Sequence, residues 1–153
     1  MFHDLIIQYG SLIGLFISSL IGSTIFIPFW VEAPLVGLIK LGVNPYLVVI
    51  VASIGSLIGT IVNYLLGYLG SGIIKRKVDA GKMDHAKKMM DKYGWSGLFV
   101  IILLPLPVDP ITIFPGITRM NFIEFVIVVF LAKLAKYSLI VGLFNSLLSL
   151  LPP

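Results

Sequence analysis

The chain has 153 residues, 58% hydrophobic and only 12% charged, with a mean hydropathy of +1.07. No soluble domain of this size needs so much apolar surface, so the composition implies a small integral membrane protein with a single transmembrane domain. The net charge of +4 is gathered in one segment, which argues for membrane topology rather than nucleic-acid binding, and the absence of cysteine excludes disulfides and thiol catalysis.

The start, MFHDLIIQYG, carries Asp4 in place of a basic cluster. The apolar run behind it outlasts the core of a cleavable signal, so a first helix over 5–21 is expected. Residues 5–31 hold no charge, which is more length than the about 20 residues one crossing needs. Gly22-Ser23 and Pro28 interrupt that run, and Glu32 follows in FIPFWVEAPL. This pattern predicts a broken, re-entrant hairpin over 23–41. From Leu41 to Ile74 the chain is again free of charge, and 45–69 reads as a full span. Gly55 and Gly59 lie four apart, as in close small-residue helix packing. Asn63 and Tyr64 are polar and should face protein, Asn63 as an interhelical hydrogen-bond partner.

The segment 75–92, KRKVDAGKMDHAKKMMDK, holds seven of the eleven Lys and Arg residues. A short basic stretch between apolar blocks reads as a cytoplasmic loop. Met83, Ala86, Met90 and Tyr93 fall at helical spacing, so it should contain a short interfacial helix. The second half then repeats the plan of the first. Between Tyr93 and Thr118 the lone charge is Asp109, and Pro105, Pro107, Pro110 and Pro115 rule out one continuous helix. A second re-entrant hairpin is expected over 95–117, followed by a span over 121–148. Asn121 is placed to cap that span, with Glu124 in the capping-box position. Trp30 and Trp95 read as interface markers.

The expected fold class is therefore all-α: a helix–hairpin–span unit and an inverted hairpin–span unit joined by the basic segment. With that segment cytoplasmic, the charge count starts the first helix inside and brings the two hairpins in from opposite faces. Opposed broken helices around a central site are a transporter design. A carboxylate in lipid-length apolar sequence is costly and marks a transport or proton pathway, and here each half places one at a proline break.

The residues also resemble a known family. Ser23-Thr24-Ile25-Phe26-Ile27-Pro28 with Glu32, then Gly42, Gly55, Gly59, Asn63-Tyr64 and Gly67, look like the DedA family, also called SNARE-associated or VTT-domain proteins. Leu104, Pro105, Asp109-Pro110, Gly116, Arg119, Phe125, Lys133, Lys136 and Tyr137 look like its small YqaA-type branch. The resemblance covers about 15–140. It implies opposed re-entrant hairpins and movement of lipids between leaflets, polyprenyl-phosphate carriers in bacterial members and phospholipids in eukaryotic ones. The wider family carries an arginine pair around the second hairpin, where this chain has Ile102 and Val108.

Candidate roles follow. Glu32, Asp109 and Lys133 are assigned to proton coupling or substrate binding. Arg119, Lys136 and Tyr137 are assigned to the lipid headgroup, with Arg119 and Lys136 nearer the interface or cavity mouth. Pro28, Pro105, Pro110 and Gly116 shape the hairpins. Lys133, Lys136 and Tyr137 stand at i, i+3 and i+4 and so share a helix face. Lys133 lies too deep to snorkel and should pair with Asp109 or Glu32. In the opposing reading both acids only cap half-helices or close a structural ion pair, and Arg119 and Lys136 only snorkel. Helix starts near Ala33 and Ile111 suit a phosphate.

Three functions fit: a lipid flippase or scramblase, a small ion or proton transporter, and, weakest, a membrane lipid phosphatase. The chain shows no Ser/His/Asp or metal-ligand constellation, so no enzyme activity, cofactor or metal is expected. The expected partners are membrane lipids, anionic or phosphate-bearing, with no nucleic acid. The expected site is the plasma (cytoplasmic) membrane. At 16.8 kDa the chain is thin for a sealed path, which allows a homodimer.

Overall fold

The computed structural model describes residues 2–24, 31–77, 80–104 and 109–150. Pro28, Trp30 and Pro105 lie outside the described residues, as do the side chains of Asp109 and Pro110. Among the described residues six α-helices follow one another: α1 (Phe2–Gly22), α2 (Glu32–Lys40), α3 (Pro45–Lys77), α4 (Ala80–Leu103), α5 (Ile113–Ile117) and α6 (Phe122–Leu150). A 3-10 turn, Asp109–Thr112, leads into α5, and there is no strand among the described residues.

Two stretches, Pro45–Ile73 and Phe122–Leu150, are each 29 residues long and apolar enough to cross a membrane. At about 1.5 Å per residue they exceed a hydrocarbon core about 30 Å thick, which leaves room for tilt. They form the axis of the fold. One buried cluster joins Leu12 and Leu15 of α1, Leu35 of α2, Val48 and Ala52 of α3, and Val141 of α6. A second joins Tyr64 of α3, Leu98 and Ile102 of α4, and Phe125, Val129 and Ala132 of α6. Both clusters use α3 and α6. Ile13, Ile17 and Ile21 of α1 and Ile50, Ile54 and Ile58 of α3 are exposed, which suits a lipid-facing surface.

Glycines set the helix directions. A Cβ on Gly55 would lie 2.6 Å from the carbonyl of Phe16, and one on Gly59 would crowd the carbonyl of Leu20 one turn further along both helices. α1 and α3 therefore run the same way, backbone against backbone. Tyr137 meets Ser56 and Phe125 meets Tyr64, so α6 runs antiparallel to α3. Glu32 meets Lys136 and Lys40 lies over Phe144, so α2 runs along α6 in the same direction. Gly67 abuts Ile113 and Gly116 abuts Tyr64, which makes α5 antiparallel to α3.

These directions correct one expectation. Charge counting starts the first helix at the end where the basic segment lies. Its parallel packing on α3 puts its N-terminus at the opposite end, beside Leu41 to Val43. α1 and α2 therefore run in opposite directions along the pair of long helices. The basic segment also differs from a simple loop. α3 runs on to Lys77, and from Ala80 the chain is helical through to Leu103 with a sharp bend at Gly94 (φ 48°, ψ −130°). Lysine and alanine favour helix, whereas Gly94 reaches a left-handed φ at little steric cost.

α6 starts on a side-chain cap. Asn121 Oδ1 accepts hydrogen bonds from the backbone N–H of Ile123 at 3.0 Å and of Glu124 at 3.2 Å. These bonds satisfy two otherwise orphaned donors. Asn121→Ala should lower stability by about 1 kcal/mol, read as a small drop in detergent-solution melting temperature with unchanged oligomeric state. An unchanged melting temperature would show the cap to be dispensable.

Candidate functional site: a polar interior between the two long helices

Four polar residues of α3, Ser53, Ser56, Thr60 and Asn63, are fully buried. Their spacing (i, i+3, i+7, i+10) lays them along one helix face. Ser19 and Ser23 of α1, Thr112 before α5, and Lys133, Lys136 and Tyr137 of α6 are buried as well. Buried polar groups cost free energy unless paired, and most of these are.

Two α3 hydroxyls satisfy themselves locally. Ser53 Oγ donates to the carbonyl of Val49 at 2.7 Å, and Thr60 Oγ1 to that of Leu57 at 2.8 Å. The other two reach across helices. Ser56 Oγ accepts from the Tyr137 hydroxyl at 3.1 Å and bonds Ser23 Oγ of α1. Asn63 Nδ2 donates to the carbonyl of Ser23 at 2.9 Å and to Thr112 Oγ1 at 3.0 Å. One amide therefore ties the end of α1 to the start of the 3-10/α5 segment. Ser19 Oγ has no hydrogen-bond partner among the described residues.

The charged part of the interior lies on α6. Lys136 Nζ stands 2.6 Å from Glu32 Oε1, with the lysine 4% exposed and the acid 23%. Glu32 occupies the first turn of α2, where an acid is favoured by the helix dipole. Lys133 is wholly buried one turn before Tyr137.

This changes two expectations. Lys133 was expected to pair with Asp109 or Glu32; Glu32 pairs with Lys136 instead, and the side chain of Asp109 lies outside the described residues. α2 enters alongside α6 in the same direction, which brings Glu32 level with Lys136. Lys136 was also placed near a cavity mouth, yet it is buried because α2 covers it. Arg119 stands apart from both. It is exposed, with a left-handed backbone (φ 55°), and its guanidinium lies 5.2 Å from the Tyr68 ring centre. It borders a cleft of about 450 Å³ shared with Tyr64, Leu65, Tyr68, Met120 and Phe122. Tyr137 is an internal hydroxyl donor to Ser56, and Gly116 is the point where α5 touches α3.

Sequence reasoning missed Ser56 and Thr112 and gave the Ser23 side chain no role. The Ser/Thr/Asn stripe at helical spacing along the span would have exposed Ser56. Nothing local marks Thr112, whose partner lies far off in sequence.

Residues 5–146 match the VTT domain. An uncharacterized protein of the archaeon Methanocaldococcus jannaschii is 27% identical over 139 residues, covering 90% of this chain and 86% of the relative. An uncharacterized protein of Haemophilus influenzae is 28% identical over 95 residues, covering 60% of this chain and half of the relative. No solved structure matches the chain. With the domain matched along nearly its whole length, and with two membrane-length helices in an all-helical fold, the chain belongs to the VTT-domain family, the DedA family.

Proposed function

We propose that the protein carries lipid headgroups across the membrane, as a flippase or scramblase for phospholipid or polyprenyl phosphate, without an enzymatic step. The observation that carries this reading is the buried Lys136–Glu32 pair in a polar interior flanked by broken helices. A buried ion pair is a poor device for stability alone. It suits a site where a second anion, such as a lipid phosphate, competes for the lysine. Arginine and lysine are the side chains that bind phosphate, and α6 supplies two buried lysines.

In this reading α1–α2 and the later part of α4 with α5 are two re-entrant hairpins, related by an inverted repeat of hairpin plus span. The basic segment 75–92 faces the cytoplasm of a plasma-membrane protein. α1–α2 then dips from the outer face and α4–α5 from the inner one. A headgroup crosses between them while its chains stay in lipid. Protonating Glu32 would break its pair and free Lys136 for the phosphate, which is a route to proton coupling. Asp109 is the candidate for the same duty in the second half. Arg119, on the exposed cleft, is the candidate first contact for an anionic headgroup.

Reconstitution separates this from ion transport. Liposomes carrying the protein should move a labelled phospholipid or polyprenyl phosphate between leaflets, while an ion-flux dye stays at the rate of empty vesicles. Dye flux without lipid movement would favour the small-ion transporter, and neither would refute both. Glu32→Gln strands the Lys136 charge and should lower stability, and the fraction that folds and inserts should move no lipid.

A further inference from the structure

Each long helix carries, near its middle, one polar side chain that reaches the short helical segment of the opposite half. Asn63 of α3 binds Thr112, and Lys136 of α6 binds Glu32. Asn63 does more, because its amide also holds the carbonyl of Ser23 at the end of α1. An amide has two N–H donors, and here one points to each half. The broken ends of both halves thus converge on a single side chain.

We propose that Asn63 is a latch that closes the route between the two halves, and that its two hydrogen bonds must open for a headgroup to pass. The proposal rests on the lipid-movement reading and names the residue that gates it. Three further observations support a latch over a plain structural bond. The contact is polar: Ser23 meets Ser56 and Asn63, and Asn63 meets Thr112, so parting them exposes groups that water or a headgroup can satisfy. Ser19 Oγ is buried one turn before Ser23 with no partner among the described residues. An unsatisfied buried hydroxyl is costly, and solvation in an opened state relieves that cost. Finally, the end of α1 meets α3 through small residues, Ser23 bonding Ser56 and Gly59 abutting the Leu20 carbonyl. Small residues leave such a seam free to part and close again.

The latch can be tested directly because the chain has no cysteine. Ser23 Oγ and Ser56 Oγ are in contact, so the pair S23C/S56C should form a disulfide that pins the end of α1 to α3. The oxidised pair should move labelled lipid at least about tenfold more slowly than wild type, with recovery on adding reductant. An unchanged rate at complete disulfide formation would overturn the latch.

A second readout does not depend on lipid movement. A single cysteine, S19C, should react slowly with a water-soluble maleimide when Asn63 is present. Adding Asn63→Ala should speed labelling about tenfold, as release of the latch shifts the population toward the open state. If Asn63→Ala fails to fold, Thr112→Val removes one of the two bonds and should give a smaller increase. Equal labelling in all backgrounds would overturn the proposal. If wild-type protein moves no lipid yet labelling responds as described, the latch stands and the lipid reading fails.

Discussion

Lys136→Met should lower stability sharply, and adding Glu32→Gln should restore much of it. Removing one partner of a buried ion pair leaves the other charge uncompensated, which costs about 3–5 kcal/mol when burial is complete. Glu32 is 23% exposed here, so its stranded charge retains some hydration and the loss should sit at or below the lower end of that range. The double variant removes both charges and should melt within a few degrees of wild type in detergent. Transport then separates the two meanings of the pair. If it is part of the conducting site, Lys136→Met, Glu32→Gln and the double variant all stop moving lipid. If it is only structural, the double variant recovers movement along with stability, and the proposed mechanism fails.

The second large effect concerns the seam between α1 and α3. A side chain on Gly59 would lie within 3.0 Å of both the Leu20 carbonyl and Ser23 Cβ. The obstacle is backbone, so it cannot rotate aside, and α1 must lift away. Gly59→Leu should therefore destabilise by more than the about 1–3 kcal/mol of ordinary overpacking, and should appear as aggregated or degraded protein. Gly59→Ala should be milder but still measurable. Gly10 and Gly14, which have open space around them, serve as controls where alanine should be tolerated. Wild-type yield and melting temperature for Gly59→Leu would show that the close approach of α1 and α3 is not needed for folding.

Much of this protein was legible in its sequence because the bilayer makes polar residues conspicuous. The two long spans and the cap at Asn121 follow from hydropathy and capping chemistry alone. The partner of Glu32 did not. Lys133 and Lys136 differ by less than one helical turn on the same face. Choosing between them requires the direction and depth at which α2 meets α6, which no local pattern encodes. The direction of α1 failed for a related reason. Charge counting takes 5–21 as a helix that starts at the end of the basic segment, whereas α1 packs parallel to α3 through Gly55 and Gly59. The glycine pair was visible, but its partner helix was not. The Ser23–Asn63–Thr112 junction was least accessible, since it joins residues separated by 40 and 49 positions through one amide.

The crossed grips also bear on how the protein is made. Asn63 waits for Thr112, and Glu32 waits for Lys136, so both polar groups of the first half are synthesised before their partners exist. Until the second half emerges from the ribosome, the nascent chain must hold at membrane depth an acid without its lysine and an amide bonded across helices to the Ser23 carbonyl but not yet to Thr112. Neither half is then a self-sufficient folding unit, and a chain cut within α6 before Lys136 should be recognised as unfinished and destroyed by membrane quality control.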